Sequence, residues 1–156
     1  MEQLEVLKKN AIAAYKATDK EGKKLLSNLF GGKVFSEKIA DRVNGWQDIL
    51  DISGRNAKEY ELREGETGDE LAYRQAKLIA EVYNQGDKLD AMDTNQYKYY
   101  PWHKITPGSG FGLSYHDFAD WGTGSDVGVR LCFVRSEDAV DAGQKFIEIY
   151  SRLKVK

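Results

Sequence analysis

Cysteine is nearly absent from this chain. Cys132 stands alone among 156 residues. An intrachain disulfide and a cysteine-rich zinc site are therefore excluded, and the composition agrees with a reducing compartment. Histidine occurs only twice, at His103 and His116. No internal repeat and no low-complexity tract is present. No apolar run approaches the roughly 20 residues that cross a bilayer. The first residues, Met1-Glu2-Gln3-Leu4-Glu5, lack the basic start and apolar stretch of a signal peptide. The expectation is a cytoplasmic protein with no membrane partner. Excess charge is missing too: a formal net charge of −2 gives no global pull toward nucleic acid.

What is present fits a globular fold. Apolar residues make up 41% and charged residues 31% of the chain. The length suits a single domain over residues 1–156, with a helical portion over 1–90 and a sheet-plus-helix portion over 91–156. Charge is uneven along it. Residues 1–42 hold nine Lys/Arg against six Asp/Glu, whereas residues 48–93 hold six against twelve. Ordinary solvated helix faces account for this most simply, and a docking polarity is the sharper alternative.

Helical spacing of Leu4, Leu7, Ala11, Ala14 and Tyr15 predicts a first helix over 3–17. Thr18-Asp19-Lys20-Glu21 has the form of a capping box for a second, with Leu25, Leu26, Leu29 and Phe30 as its buried face and Gly31-Gly32 as its stop. Ser36 is placed to cap a short helix over 37–43, and Asn44 another that carries Trp46, Ile49 and Leu50 and ends at Gly54. The charged stretch 55–68 reads as an exposed loop. Thr67-Gly68-Asp69-Glu70 is a second capping box. It opens a helix over 69–85 with Ala72, Ala76, Ile79 and Tyr83 on one side, Leu78 and Val82 flanking, and Gly86 as its end.

After Gly86 the texture turns to strands. Residues 96–104 are rich in aromatics and suit a strand that sits at an edge or is interrupted at Pro101. Residues 111–115 suit a second short strand. Residues 127–134 alternate, with Val127, Val129, Leu131 and Phe133 on one face, and read as the clearest strand. Ser136 then caps a final helix with Ala139, Gly143, Phe146 and Tyr150 as its inner stripe; Gly143 allows close approach to the sheet. The predicted fold class is α+β. Four or five N-terminal helices precede a small, mainly antiparallel sheet of two or three strands, which a C-terminal helix packs.

Chemical motifs are sparse. Pro107-Gly108-Ser109-Gly110-Phe111-Gly112 lacks the Lys-Ser/Thr of a phosphate loop and reads as a hairpin loop. Ser114 lies near His116, but no orienting acid or oxyanion hole is recognisable. His103, His116, Asp117 and Asp120 are acceptable metal ligands or acid–base groups, yet their spacing matches no metal signature. Cys132 reads as a small buried hydrophobe. Neither a metal nor a cofactor is expected, and an enzyme using His103 or His116 ranks below a binding protein. Arg130 shares its strand parity and would need a carboxylate partner if buried.

The aromatic cluster carries more weight. Tyr97, Tyr99, Tyr100, Trp102, Phe111, Tyr115, Phe118 and Trp121 fall close together in sequence. Alternation puts rings on both faces of the first strand, one for the core and one for a second small core or an interface. Tyr99, Tyr100, Trp102, Phe111 and Trp121 are the candidate surface for an unidentified protein partner. Lys98 and Lys104 beside these rings give the alternative, nucleic-acid binding by charge and stacking.

Ala14-Tyr15-Lys16, Lys24-Leu25-Leu26-Ser27-Asn28-Leu29-Phe30-Gly31, Tyr97-Lys98-Tyr99-Tyr100-Pro101-Trp102 and Val129-Arg130-Leu131-Cys132-Phe133, leading into 142–150, form a combined texture. It resembles small uncharacterised proteins of phages, prophages and mobile elements of gut anaerobic bacteria. The resemblance spans most of the chain. It implies a genomic context and an accessory role, and it assigns no active-site residue.

Overall fold

The computed structural model describes residues 6–105, 113–121 and 128–154; of these, 104–105, 113–121 and 154 are described by their backbone alone. The described residues are mostly helical, with seven α-helices and one pair of strands. They form two compact units, Met1–Arg55 and Asn56–Lys156. The helix expected over 69–85 therefore belongs with the C-terminal elements. No described helix is long and apolar enough to cross a membrane.

The first unit holds α1 (Lys8–Ala17), α2 (Lys20–Phe30), α3 (Ile39–Arg42) and α4 (Trp46–Ser53). Its buried side chains are Ala11, Ile39, Val43, Ile49 and Leu50. The start of α2 lies one residue later than the capping box predicts. Asp19, not Thr18, is the cap, and the Gly22 N–H donates to its Oδ1 at 2.9 Å. The carboxylate reaches the free N–H and adds a negative charge at the positive end of the helix, which a hydroxyl cannot do. Thr18 packs over Gly22 instead, where a Cβ would meet its Oγ1 at 2.0 Å.

The expected buried face of α2 is a second correction. Leu25 and Leu29 are 60% and 66% exposed, and no α2 residue is buried. The helix leans on an aromatic group through the other edge of its apolar arc. There Tyr15 stacks on Phe35 at 4.2 Å, and Phe30 meets Phe35 edge-on. Asn44 does not cap α4 with its side chain either. Its backbone N–H donates to Asp48 Oδ2 at 2.8 Å. Asp48 Oδ1 pairs with Lys8 Nζ at 2.6 Å, and Lys8 also donates to the Arg42 carbonyl at 2.7 Å. One ion pair thus ties α1 to the end of α3 and the start of α4. Gly54 ends α4 in the left-handed region, φ 69°.

In the second unit α5 (Gly68–Asn84) is central. The Thr67–Glu70 capping box is formed, with the Thr67 N–H donating to Glu70 Oε2 at 2.8 Å. The predicted stripe of Ala72, Ala76, Ile79 and Tyr83 is buried, as are Leu78 and Val82. Full burial of an aliphatic side chain such as Ile79 contributes about 1.5–3 kcal/mol. The loop ahead of α5 is held by Arg74. Its guanidinium donates to both carboxylate oxygens of Glu66 at 2.7 Å and to the Glu61 carbonyl at 3.0 Å, and it also reaches the Glu59 carbonyl.

Strands β1 (Lys98–Ile105) and β2 (Leu113–Trp121) pair antiparallel, with an irregularity between Trp102 and His103. The segment 127–134 is not a third strand. Val127 lies outside the described residues, and Val129–Leu131 form a single 3-10 turn. Only Phe133 makes a bridge, exchanging backbone bonds of 2.7 and 3.0 Å with Tyr99. Local bonds account for this, because the N–H groups of Leu131 and Cys132 donate to the carbonyls of Gly128 and Val129 at 2.9 and 3.1 Å. Asn84 donates from Nδ2 to the Cys132 carbonyl at 3.0 Å and accepts from the Val134 N–H at 2.9 Å. That one amide holds the side of the segment away from β1. Leu131, Cys132 and Phe133 are consecutively buried, so the expected alternation of faces does not hold.

Tyr99 turns its backbone toward Phe133, away from β2, and Pro101 has the same parity. The missing proline N–H therefore removes no bond between β1 and β2. The expected final helix is two helices, α6 (Ser136–Lys145) and α7 (Ile147–Lys154), which meet at Phe146. Arg135, not Ser136, occupies the cap position, and its Nε pairs with Asp138 at 2.7 Å. The inner stripe of Ala139, Gly143, Phe146 and Tyr150 is buried. Helix α7 packs on α5, and α6 packs on both strands.

Candidate binding surface

The first strand is anchored before it displays anything. Pro101 and His103 are buried. A Cβ at position 143 would lie 2.8 Å from Pro101 Cβ, so only glycine lets α6 come this close. His103 Nε2 lies 3.1 Å from the Gly143 carbonyl. That oxygen can only accept, so Nε2 carries the proton. Tyr150 lies against this group, 5.6 Å from the His103 ring and 6.1 Å, edge-on, from Tyr100. Burial pushes the Tyr100 phenol up to about 12. Burial also raises the Cys132 thiol to about 11, against a smaller opposing effect of Lys98.

Around these anchors the strand turns rings to solvent. Trp102 is 47% exposed and Tyr97 is 62% exposed. Tyr97 stacks on half-buried Tyr99 with centroids 6.4 Å apart and planes 22° apart. The candidate rings thus divide. Trp102 faces outward, Tyr99 is intermediate, and Tyr100 reaches into the group around Tyr150. Phe111 lies outside the described residues. For Trp121 the backbone alone is described, opposite Lys98.

The groups named for other chemistry are placed differently. Lys98 is buried, and its ammonium donates to the carbonyls of Asp93 at 2.8 Å and Gln96 at 2.9 Å. It shapes the turn before β1 and does not face solvent with the rings. Lys104, His116, Asp117 and Asp120 have described backbones only, with Asp117 opposite Trp102 and Asp120 opposite Tyr99. Among the described residues, no group of three or more His, Cys, Asp or Glu side chains is arranged to hold a metal. Arg130 is exposed, so the carboxylate partner foreseen for a buried arginine is not required.

The chain matches no protein family, no curated protein and no solved structure. Its chemistry therefore has to be argued from its own geometry. Two features escaped sequence reasoning. The Arg74 clamp spans eight residues to Glu66 and has no periodic signature. The Asn84 bridge spans 48 residues to Cys132, and the only local signal is a polar residue at the end of an otherwise buried helix stripe.

Proposed function

We propose that the chain is a non-enzymatic binding or accessory protein that acts through protein contacts. Its setting is the cytoplasm, in the phage or mobile-element context its resemblance implies. The observation that carries this reading is the exposure of Trp102 on a strand whose neighbours Pro101 and His103 are buried. An anchored tryptophan loses little conformational entropy when a partner covers it, which is why tryptophan and tyrosine dominate interface energetics. The ribbon acts here as the small sheet of an α+β arrangement, with α6 holding its inner side and the rings of Tyr97, Tyr99 and Trp102 available beside it. The use of Lys98 in local carbonyl contacts weakens the nucleic-acid alternative, and the bond from His103 to the Gly143 carbonyl weakens the enzymatic one.

The test is affinity capture from host lysate with the wild type, Trp102→Ala and a control, Met92→Ala, at another highly exposed apolar residue. A partner that binds through this surface should be weakened about 30-fold by Trp102→Ala, the loss typical of a hot-spot residue, and be kept by the control. A partner retained equally by both folded variants would remove the surface from the reading.

A further inference from the structure

Beyond the aromatic strand, the C-terminal end of α5 borders an open groove of about 320 Å³. Lys77, Glu81 and Asn84 recur along one face of the helix. The turn after the helix adds Lys88 and Leu89, and the 3-10 turn adds Val129 and Arg130. The two walls are joined by Asn84, whose amide bonds to Cys132 and Val134 keep the 3-10 turn against α5. This volume lies at the small end of the range for small-molecule sites, about 300–1,000 Å³.

The charges in the groove are uncommitted. Lys77, Glu81, Lys88 and Arg130 are all exposed. Among the described residues, none of their side chains takes part in a hydrogen bond or ion pair, although the chain elsewhere matches Lys8 with Asp48, Arg74 with Glu66 and Lys145 with Asp141. Three cations against the one carboxylate of Glu81 leave a net positive groove in a chain of net charge −2. The C-terminus of α5 offsets about half a charge. What remains matches a phosphate monoester, which carries about −1.5 to −2 at neutral pH. Leu89 and Val129 are half-buried and offer an apolar edge to an organic body. Glu81 is an acceptor for that body's hydroxyl or amino donors.

We infer that this groove binds a small phosphate monoester, with Lys77, Lys88 and Arg130 holding the phosphate and Glu81 accepting from the attached body, the chemistry of a nucleoside monophosphate. The site is independent of the Trp102 surface, and Trp102→Ala leaves it intact. Calorimetric titration of the full chain at low salt with adenosine monophosphate, ribose phosphate and adenosine tests it, with amide NMR shifts to locate the binding. Adenosine monophosphate should bind with shifts at Lys77, Glu81, Lys88 and Arg130, and binding should weaken as salt is added. Equal binding of ribose phosphate assigns the affinity to the phosphate and sugar, and weaker binding assigns part of it to the base. Arg130→Glu and Lys88→Glu should each reduce affinity at least tenfold, while Lys9→Glu, an equal charge change at another exposed site, should leave it unchanged. Adenosine binding as tightly as its monophosphate, an equal loss in Lys9→Glu, or no binding of either phosphate would overturn the assignment.

Discussion

Replacing Gly143 by alanine sets two effects of opposite sign against each other. An α-helix interior normally gains about 1 kcal/mol from Gly→Ala. Here the new Cβ would lie 2.8 Å from Pro101 Cβ and 3.5 Å from His103 Nε2. The ring of Pro101 is fully buried and cannot rotate aside, so α6 must move from β1. Overpacking of this kind costs about 1–3 kcal/mol. The same movement stretches the bond from His103 Nε2 to the Gly143 carbonyl, which contributes about 1 kcal/mol. The net expectation is a loss of about 2 kcal/mol, or roughly 10 °C in the melting point of a unit this size. Thermal and urea unfolding, followed by near-ultraviolet circular dichroism, read it directly. Pro101→Gly deletes the contacting atom, so the double variant should be less destabilised than the two single losses combined. An alanine variant as stable as the wild type, or more stable, would refute the close approach of α6 and β1.

Three further outcomes follow from the buried and bonded charges. Asp48→Ala should destabilise the first unit by about 1 kcal/mol, the upper end for a surface ion pair, because both side chains are only about one-fifth exposed. Burial alone would raise the Asp48 carboxyl, but Lys8 and the Asn44 N–H outweigh it and hold the group below its ordinary value. Its contribution should therefore be complete above the unfolded value of 3.8 and fade as pH falls through the lower folded value, a difference an acid titration of wild type against variant would show. Arg74→Ala should free the loop ahead of α5 to limited proteolysis and fast amide exchange between Glu59 and Glu66, and Arg74→Lys should not restore protection, because an ammonium cannot form the two-pronged contact. Cys132 and Tyr100, raised by burial to about 11 and about 12, favour their neutral forms in the fold. Stability should hold below about pH 9 and fall as pH rises toward these values, and the thiol should resist alkylation at pH 8 until denaturant is added.

The residues that announced their structure were those whose local signals agreed. Thr67–Glu70 and the stripe of Ala72, Ala76, Ile79 and Tyr83 each specify the same helix, and α5 follows them closely. The inner stripe from Ala139 to Tyr150 was legible for the same reason, even though Phe146 breaks the helix in two. The failures arise where a distant side chain decides. Residues 127–134 have the composition of a strand, but Val129–Leu131 close a 3-10 turn, and Asn84 of α5 holds the chain beyond it through the Cys132 carbonyl and the Val134 N–H. Leu25 and Leu29 have helical spacing without a partner over them, since periodicity shows that a face is apolar and not that something covers it. At the candidate surface, alternation groups Tyr100 with Trp102, whereas Tyr100 reaches toward buried Tyr150 and Trp102 turns to solvent. It could not show that Lys98 would turn back onto the carbonyls of Asp93 and Gln96.

The backbone of β1 bears on how copies of the chain behave when crowded together. A strand edge with a free row of N–H and C=O groups is a template on which another chain can assemble. On the outward side of β1, both Tyr99 groups are already bonded to Phe133, and Pro101 has no N–H to give. A foreign strand laid along that side would find its first two docking points closed. That side of β1 is therefore closed to edge-to-edge pairing at Tyr99 and weakened for it at Pro101.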